Sequence, residues 1–294
     1  MSELISGSMI DHWLRCQRLY HYQHDRMIAP KETDWPLAVG RAGHGVLSAY
    51  YEALAISGNH REAREAALEM AGWRADVLGH DQKALAYVLP LIEYYWAVNA
   101  EDVLRWRIVE VEAEHRAPRA GWTLVGTSDL VVVDLATGDR VVIDHRFLME
   151  FYTRAQARLD PQPVRYALLL RAAGQPVTHI LRNMISTKPV SALPNAAKSE
   201  RVKRIPLELT ERRAETVNRE TERAAQQIVA WRSLPIEVRR ATAARTVIPG
   251  VRYPSCKTCP YAELCEAEAW GEDETAAQIQ ATKFGPTDYG YQEA

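Results

Sequence analysis

Four cysteines set the hardest constraint on how this chain can fold. Three of them form a Cys256-x-x-Cys259-x-x-x-x-x-Cys265 group between Pro254 and the acidic C-terminal stretch, and Cys16 lies 240 residues before it. Four thiolates brought together can hold a four-iron cluster or a structural zinc, whereas a Cys-x-x-Cys pair alone can be redox-active. If one group takes all four, the first helix must meet the C-terminal loop. Closing so long a loop costs chain entropy, which metal–thiolate bonds offset. The rest of the sequence favours metal ligation over disulfides. No apolar run approaches the ~18–20 residues of a membrane span. Met1 to Ile10 lacks the basic start and apolar middle of a signal peptide. A cytoplasmic protein with no membrane partner is expected, and structural disulfides are rare in that compartment.

The 294 residues, 47% of them hydrophobic, suffice for one large core or for one domain with a helical insertion. Apolar spacing predicts helices over 8–24 (capped by Ser8), 37–57, 60–78 and 81–100. Alternation then predicts strands over Ile108–His115, Thr123–Val133 and Arg140–Phe147, the last two joined by a turn at Thr137, Gly138 and Asp139. A helix over 162–173, a strand from Val177 to Ser186 and an amphipathic helix over 210–232 follow. This order implies an α/β fold with a mixed central sheet flanked by helices, an N-terminal helical region and a C-terminal cysteine loop. The expected division is a helical region 1–104, a core 105–235, a cysteine-rich loop 236–270 and a loosely ordered tail 271–294. The basic stretch 198–204 reads as a solvated loop in preference to a nucleic-acid contact.

Net charge is −2, so the chain is not a general polyanion binder. Of its 36 basic residues 29 are Arg, which suits bidentate phosphate contacts but equally fits a coding bias. The eight Trp residues are expected mainly in the core, not as a base-stacking platform.

The chemistry concentrates in the central hairpin. Asp129 lies within one predicted strand, and Asp144 ends the apolar run of the next. A carboxylate at the end of a buried strand is costly unless something pairs with it. Two of them on neighbouring antiparallel strands can converge on one hard divalent cation, Mg²⁺ or Mn²⁺, which would polarise a phosphate and acidify a water. Carboxylates that merely open turns are the plain alternative for any single hairpin.

Gly126-x-x-Asp129, Asp144-x-Arg146 and Gln162-x-x-x-Tyr166 together resemble the RecB-like branch of the PD-(D/E)XK nucleases, which carries Gly-x-x-Asp, Asp-x-Lys and Gln-x-x-x-Tyr in this order. Gly40-Arg-Ala-Gly-His44 is similar to the His motif that completes that family's metal site. The resemblance implies a restriction-endonuclease-like fold, with His44, Asp129, Asp144 and the main-chain carbonyl of His145 as metal ligands. It implies that Gln162 and Tyr166, on one face of a helix, orient the site and the DNA backbone. Ser6-x-Ser8-x-Ile10-x-x-Trp13-x-x-Cys16-x-x-x-Tyr20 and the later cysteines resemble the subset with iron–sulfur clusters, the AddB nuclease domain and the CRISPR-adaptation nucleases. That implies a 4Fe-4S cluster on Cys16, Cys256, Cys259 and Cys265 with a structural role, zinc being the alternative.

The chain departs from the family at Arg146, where a Lys is usual. Arg keeps the charge but is a planar fork that cannot give up a proton. Metal binding is expected to survive while catalysis weakens or is lost. Lys188, the nearest Lys downstream, lies beyond the next strand. The implied activity is metal-dependent DNA cleavage, as an exonuclease on single-stranded or duplex ends, in recombination, repair, phage metabolism or CRISPR spacer processing. The alternatives are a catalytically silent DNA-binding protein of the same fold and a zinc-stabilised structural protein. No Gly-x-x-x-x-Gly-Lys loop for ATP is present, so a helicase activity would come from a partner. A helicase or CRISPR-adaptation partner and an oligomer are each compatible with the sequence.

Overall fold

The computed structural model describes residues 2–78, 81–189, 201–243 and 254–287. In chain order the elements are β1 (Glu3–Ser6), α1 (Gly7–Arg15), α2 (Gln17–Tyr20), a π-helical stretch (His21–Asp25), β2 (Ile28–Pro30), α3 (Trp35–Ser57), α4 (His60–Leu78), α5 (Gln82–Val98) and α6 (Asp102–Arg105). Then come β3 (Trp106–Arg119), β4 (Trp122–Asp134), β5 (Arg140–Leu148), α7 (Arg154–Leu159), α8 (Gln162–Ala172), β6 (His179–Ser186), β7 (Val202–Glu208) and α9 (Glu211–Arg232). The chain closes with α10 (Ile236–Thr242), α11 (Pro254–Lys257), α12 (Ala262–Trp270), α13 (Asp273–Lys283) and β8 (Phe284–Pro286). Two compact units result: Met1–Thr33, Pro118–Val125 and Asn218–Ala294 form one, Asp34–Ala117 and Gly126–Val217 the other.

The second unit is built on a mixed sheet. β4 runs antiparallel to β5, from Leu130 opposite Ile143 to Val133 opposite Arg140. β5 runs parallel to β6, and β6 antiparallel to β7. Because side chains alternate along a strand, the valine-rich runs supply two cores at once. Leu130, Val132, Val141 and Ile143 join a core with α3, α4 and α5. Val131 and Val142 join the other, with Val164, Ala167 and Leu170 of α8 and Ala214 and Val217 of α9. Near-continuous apolar strands are what a sheet covered on both faces requires. Each fully buried Val or Ile contributes roughly 1.5–3 kcal/mol.

In the first unit β1 pairs in parallel with Trp122–Val125 of β4, and β2 pairs antiparallel with β8. Leu19, Tyr22, Ile28, Tyr261, Leu264 and Phe284 form its core beside the cysteines. The Tyr261 ring stacks on Tyr22 at 5.2 Å and on Phe284 at 5.0 Å, and its hydroxyl donates to the Ile28 carbonyl at 2.7 Å.

Several expectations are revised. The first helix starts two residues earlier than the Ser8 cap implied: Ser6 accepts from the Met9 N–H at 3.2 Å, and Ser8 only meets the Ser6 hydroxyl. The single helix over 8–24 is interrupted at Cys16, whose backbone is extended at φ −170° and ψ 120°. The stretch after Trp270 is not loose as far as Thr287, because Ala276 and Phe284 are buried and β8 finds a ladder partner in β2. Residues 288–294 lie outside the described residues. Of the basic stretch, 198–200 also lie outside them, while 202–204 belong to β7 and not to a solvated loop. Arg204 is drawn inward by Asp102, at 2.6 and 2.8 Å. Trp13, Trp96, Trp106, Trp122 and Trp231 are buried, as expected of core residues. Among the described residues no helix is long and apolar enough to cross a membrane.

Candidate active site and cysteine cavity

The last ladder pair of the hairpin is Leu130 with Ile143. The next residue toward the site on each strand is a carboxylate, Asp129 on β4 and Asp144 on β5. Asp129 Oδ2 accepts the main-chain N–H of His145 at 2.7 Å, which fixes it to β5. Asp144 is 1% exposed and faces Arg182, its register partner on β6. Arg182 is fully buried and bridges Asp144 to Asp160. Arg146 reaches Asp144 from its own strand, Nε to Oδ2 at 2.9 Å.

The first turn of α8 completes this network. Gln162 accepts from Arg146 and donates to the Tyr166 hydroxyl at 2.6 Å. Its main-chain N–H is capped by Asp160 at 2.9 Å. Asp144, Arg146, Gln162 and Tyr166, all expected at the site, are therefore joined side chain to side chain. Gly126 is needed for this packing, because a Cβ there would lie 2.9 Å from Leu169 and 3.4 Å from the Tyr166 ring. Lys188 pairs with Glu150 at 2.5 Å instead.

His44 arrives from α3. Gly43 lets the helix come close: a Cβ there would lie 2.1 Å from Cζ of Phe147 on β5. Gly40, by contrast, has open space around it. His44 Nδ1 stands 3.8 Å from Asp129 and 3.6 Å from Glu112 of β3. Donor atoms of His44, Glu112 and Asp129 all lie within 4.8 Å of one another, a spacing that fits one cation. This donor set of an imidazole and two carboxylates suits Mg²⁺ or Mn²⁺. Asp144 is not among the donors that close this set.

The electrostatics agree. Burial, with the nearby charges of Asp144 and Glu112, pushes the Asp129 carboxyl up to about 7, against the opposing pull of His44 and the His145 N–H. Burial disfavours the charged form of His44, but Glu112 and Asp129 outweigh it and raise its pKa. Burial also opposes the charge on Arg146, yet Asp144 and Asp129 hold its pKa above the ordinary value. The His145 imidazole is held well below its ordinary pKa by burial, then by His44 and Arg204. It lies against Tyr51 and meets Asn183 at 2.7 Å.

The sequence reading missed Glu112, Asp160 and Arg182. Arg182 left a trace as one charged residue within the apolar predicted strand Val177–Ser186. Glu112 left none, because β3 alternates polar and apolar throughout.

In the first unit, Cys16, Cys256, Cys259 and Cys265 line one cavity of about 450 Å³, with Leu19 and Tyr22 in its wall. None of the four is in a disulfide. Burial raises the Cys259 pKa, and the charges of Cys16 and Cys265 act in the same direction. Beside the cavity, Glu268 gathers Arg18 at 2.9 Å, Arg26 at 2.5 Å and the Tyr22 hydroxyl at 2.8 Å.

The family model of the PD-(D/E)XK nuclease superfamily matches residues 5–266. The chain belongs to that superfamily, and its α/β fold with a mixed sheet between helices is the restriction-endonuclease-like one. Among solved structures it is similar to a Eubacterium rectale protein provisionally designated an exonuclease, at 10% identity and TM-score 0.49, covering 87% of this chain and 93% of that one. It is also similar to the protein SSO0001, at 14% identity and TM-score 0.38, covering 91% and 87%. No curated protein matches the sequence.

Proposed function

We propose that this chain is a divalent-metal-dependent deoxyribonuclease that acts at DNA ends. The observation that carries the reading is the convergence of His44 and Asp129 beside the Asp144–Arg146–Gln162–Tyr166 network, in a chain of nuclease ancestry. A bound Mg²⁺ or Mn²⁺ supplies Lewis-acid polarisation of the scissile phosphate and a more acidic water. His44, Asp129 and the main-chain carbonyl of His145 hold the ion, with Asp144 as the second carboxylate of the motif. Gln162 and Tyr166 fix the Arg146 guanidinium, which donates to phosphate oxygens and compensates developing charge. Arg146 cannot act as a base, so the proton of the attacking water leaves to solvent or to a carboxylate.

The cysteine cavity is proposed to hold a structural 4Fe-4S cluster. A single tetrahedral zinc would need thiolate sulfurs ~4 Å apart. The four thiols line a cavity of about 450 Å³, which favours a group larger than one ion. A helicase or a CRISPR-adaptation protein is the proposed partner class.

A second reading has a specific observation behind it: Arg146 in the Lys position, which would leave a DNA-binding protein without cleavage. Digestion of end-labelled single-stranded, duplex and circular DNA with Mn²⁺ separates the two, using anaerobically purified wild type beside Asp129→Ala and Arg146→Lys. Cleavage that is lost in Asp129→Ala and spares circles is the expected result. Cleavage by Arg146→Lys alone would mean that the site is silenced at that position. Silence from both would leave DNA binding without chemistry.

A further inference from the structure

A second cavity opens in the sheet unit, beside the carboxylate centre. It encloses about 390 Å³ between α7, the start of α8, the β6–β7 pair and the start of α9. Its floor is Ile180 and Leu207, register partners on β6 and β7. Val164 closes one side, and α7 offers Ala155 and Ala157 where longer side chains would fill the space. The protein itself holds these walls in place. Arg213 donates to the Leu159 carbonyl at 2.6 Å, tying the end of α7 to the first turn of α9. Asp160 accepts the Gln162 N–H at 2.9 Å and takes the far end of the Arg182 guanidinium.

Size and lining describe the class of ligand. The volume lies within the ~300–1,000 Å³ of small-ligand pockets, which combine apolar walls with a few polar groups. Here those groups include Arg158 and Glu208, both exposed and both without an ion-pair partner among the described residues. An aliphatic slot with a free cation at its mouth complements a flat apolar-faced ring joined to a phosphate. A nucleotide has that chemistry, and enzymes that hold an extruded base pack it between apolar or aromatic side chains and bond its edge. Glu208 offers an acceptor to N–H groups on the base edge, and Arg158 a planar fork to the phosphate.

Position adds to chemistry. Arg182 bonds Asp144 at one end and Asp160 at the other, so the cavity begins on the far side of the guanidinium that touches Asp144. A strand lying across the carboxylate centre has a neighbouring nucleotide within reach of it. We propose that this cavity is a subsite for one unpaired nucleotide of the DNA strand, with the base in the aliphatic slot and its phosphate on Arg158. A base can enter only after leaving its pair, so the subsite selects single-stranded DNA or a frayed end over an intact duplex. The inference rests on the nuclease reading above and deepens it by naming the strand form that the site holds.

The test is equilibrium binding by fluorescence anisotropy, with Ca²⁺ replacing Mn²⁺ so that the strand stays whole. The probes are a fluorescein-labelled thymidine oligonucleotide, the same backbone made wholly abasic, and a blunt duplex. The full chain is compared with Arg158→Ala and with Ala155→Trp, which puts a ring across the slot from an exposed position. Thermal melts confirm that each is folded. Wild type is expected to bind the thymidine strand about tenfold tighter than the abasic backbone, the scale of one packed base. Ala155→Trp is expected to erase most of that preference, to leave the abasic affinity unchanged, and to narrow the gap between thymidine strand and duplex. Arg158→Ala is expected to weaken both single strands alike, by about threefold, and to flatten the salt dependence. A wild type that binds both single strands equally overturns the subsite and leaves the nuclease reading standing. So does an Ala155→Trp protein that keeps the full preference, or that loses affinity for the abasic backbone to the same degree. A wild type that binds none of the probes overturns both readings. Should Ala155→Trp not fold, Leu159→Ser decides by the same outcomes, because Leu159 lines the slot and is 70% exposed.

Discussion

The two units handle buried polarity in opposite ways. In the sheet unit nearly every charged group at the site already has a protein partner: Asp144 has Arg146 and Arg182, Asp160 has Arg182, and Asp129 has the His145 N–H. In the other unit four thiols line a shared cavity of about 450 Å³, with Leu19, Tyr22 and Trp270 beside the charged Arg15, Arg18 and Glu266. The first arrangement is preorganised before any ion arrives, which is what an exchangeable catalytic cation needs. The second is completed by whatever the thiols bind, which is what a structural group does. Stability should therefore respond weakly to removal of the divalent ion and strongly to loss of the cysteine-bound group.

The largest effect tests this contrast directly. Cys256→Ser, or oxidative loss of the proposed cluster, is expected to lower Tm by on the order of 10 °C, while EDTA treatment of the intact protein shifts it by no more than about 2 °C. Equal shifts from the two treatments, measured by anaerobic calorimetry, would erase the distinction.

The next effect probes how far the sheet unit depends on its own counter-charges. Arg182→Met leaves the buried Asp144 and the partly exposed Asp160 without their bridge, and the expected cost is about 3–5 kcal/mol in denaturant unfolding. A loss below about 1 kcal/mol would mean that Arg146 alone satisfies Asp144. Smaller again is Gly43→Ala. The added methyl meets the Phe147 ring, so α3 must shift or the ring must turn, at roughly 1–3 kcal/mol. Because His44 is the next residue, Mn²⁺ affinity should fall as well. Gly40→Ala, with open space around it, is the control that should change neither.

These effects also mark what could be read from the sequence. The strands and α8 were legible because valine runs and helical spacing are local signals, and the motif residues sit where those signals place them. Asp129 and Asp144 each fall one residue beyond the Leu130–Ile143 pair, so hairpin register alone brings them close. Glu112 and Arg182 were not legible as site residues, because their roles arise from a strand pairing and a turned backbone that no local pattern encodes. The break at Cys16 was hidden for a similar reason. The helical spacing continues through it, and only the packing of Cys16 beside Leu19, Tyr22 and Leu264 explains an extended residue there. The helix α13 was missed because its one buried residue, Ala276, is too small to register as an apolar stripe.

The smallest expected effect is the first unit's share of the pH dependence of stability. His24 is buried beside His12, with Nε2 and Nδ1 2.9 Å apart, and close to Tyr20, Asp25 and Arg232. Burial first, then the charges of His12 and Arg232, lower its pKa to about 3, with Asp25 opposing. Burial lowers the His12 pKa as well. The unfolded chain takes up a proton on His24 near pH 6.5, whereas the folded chain refuses it until far lower pH. Between those limits the unfolded state binds more protons, so stability is complete above about pH 6.5 and falls as pH drops. One unit below that value the loss is about 1 kcal/mol. His24→Asn should flatten this limb of the stability curve between pH 7 and about 5.5 without changing Mn²⁺ affinity at pH 7.5. An unchanged slope in that variant would place the acid sensitivity in the sheet unit instead, where burial likewise holds the His145 imidazole below its ordinary pKa.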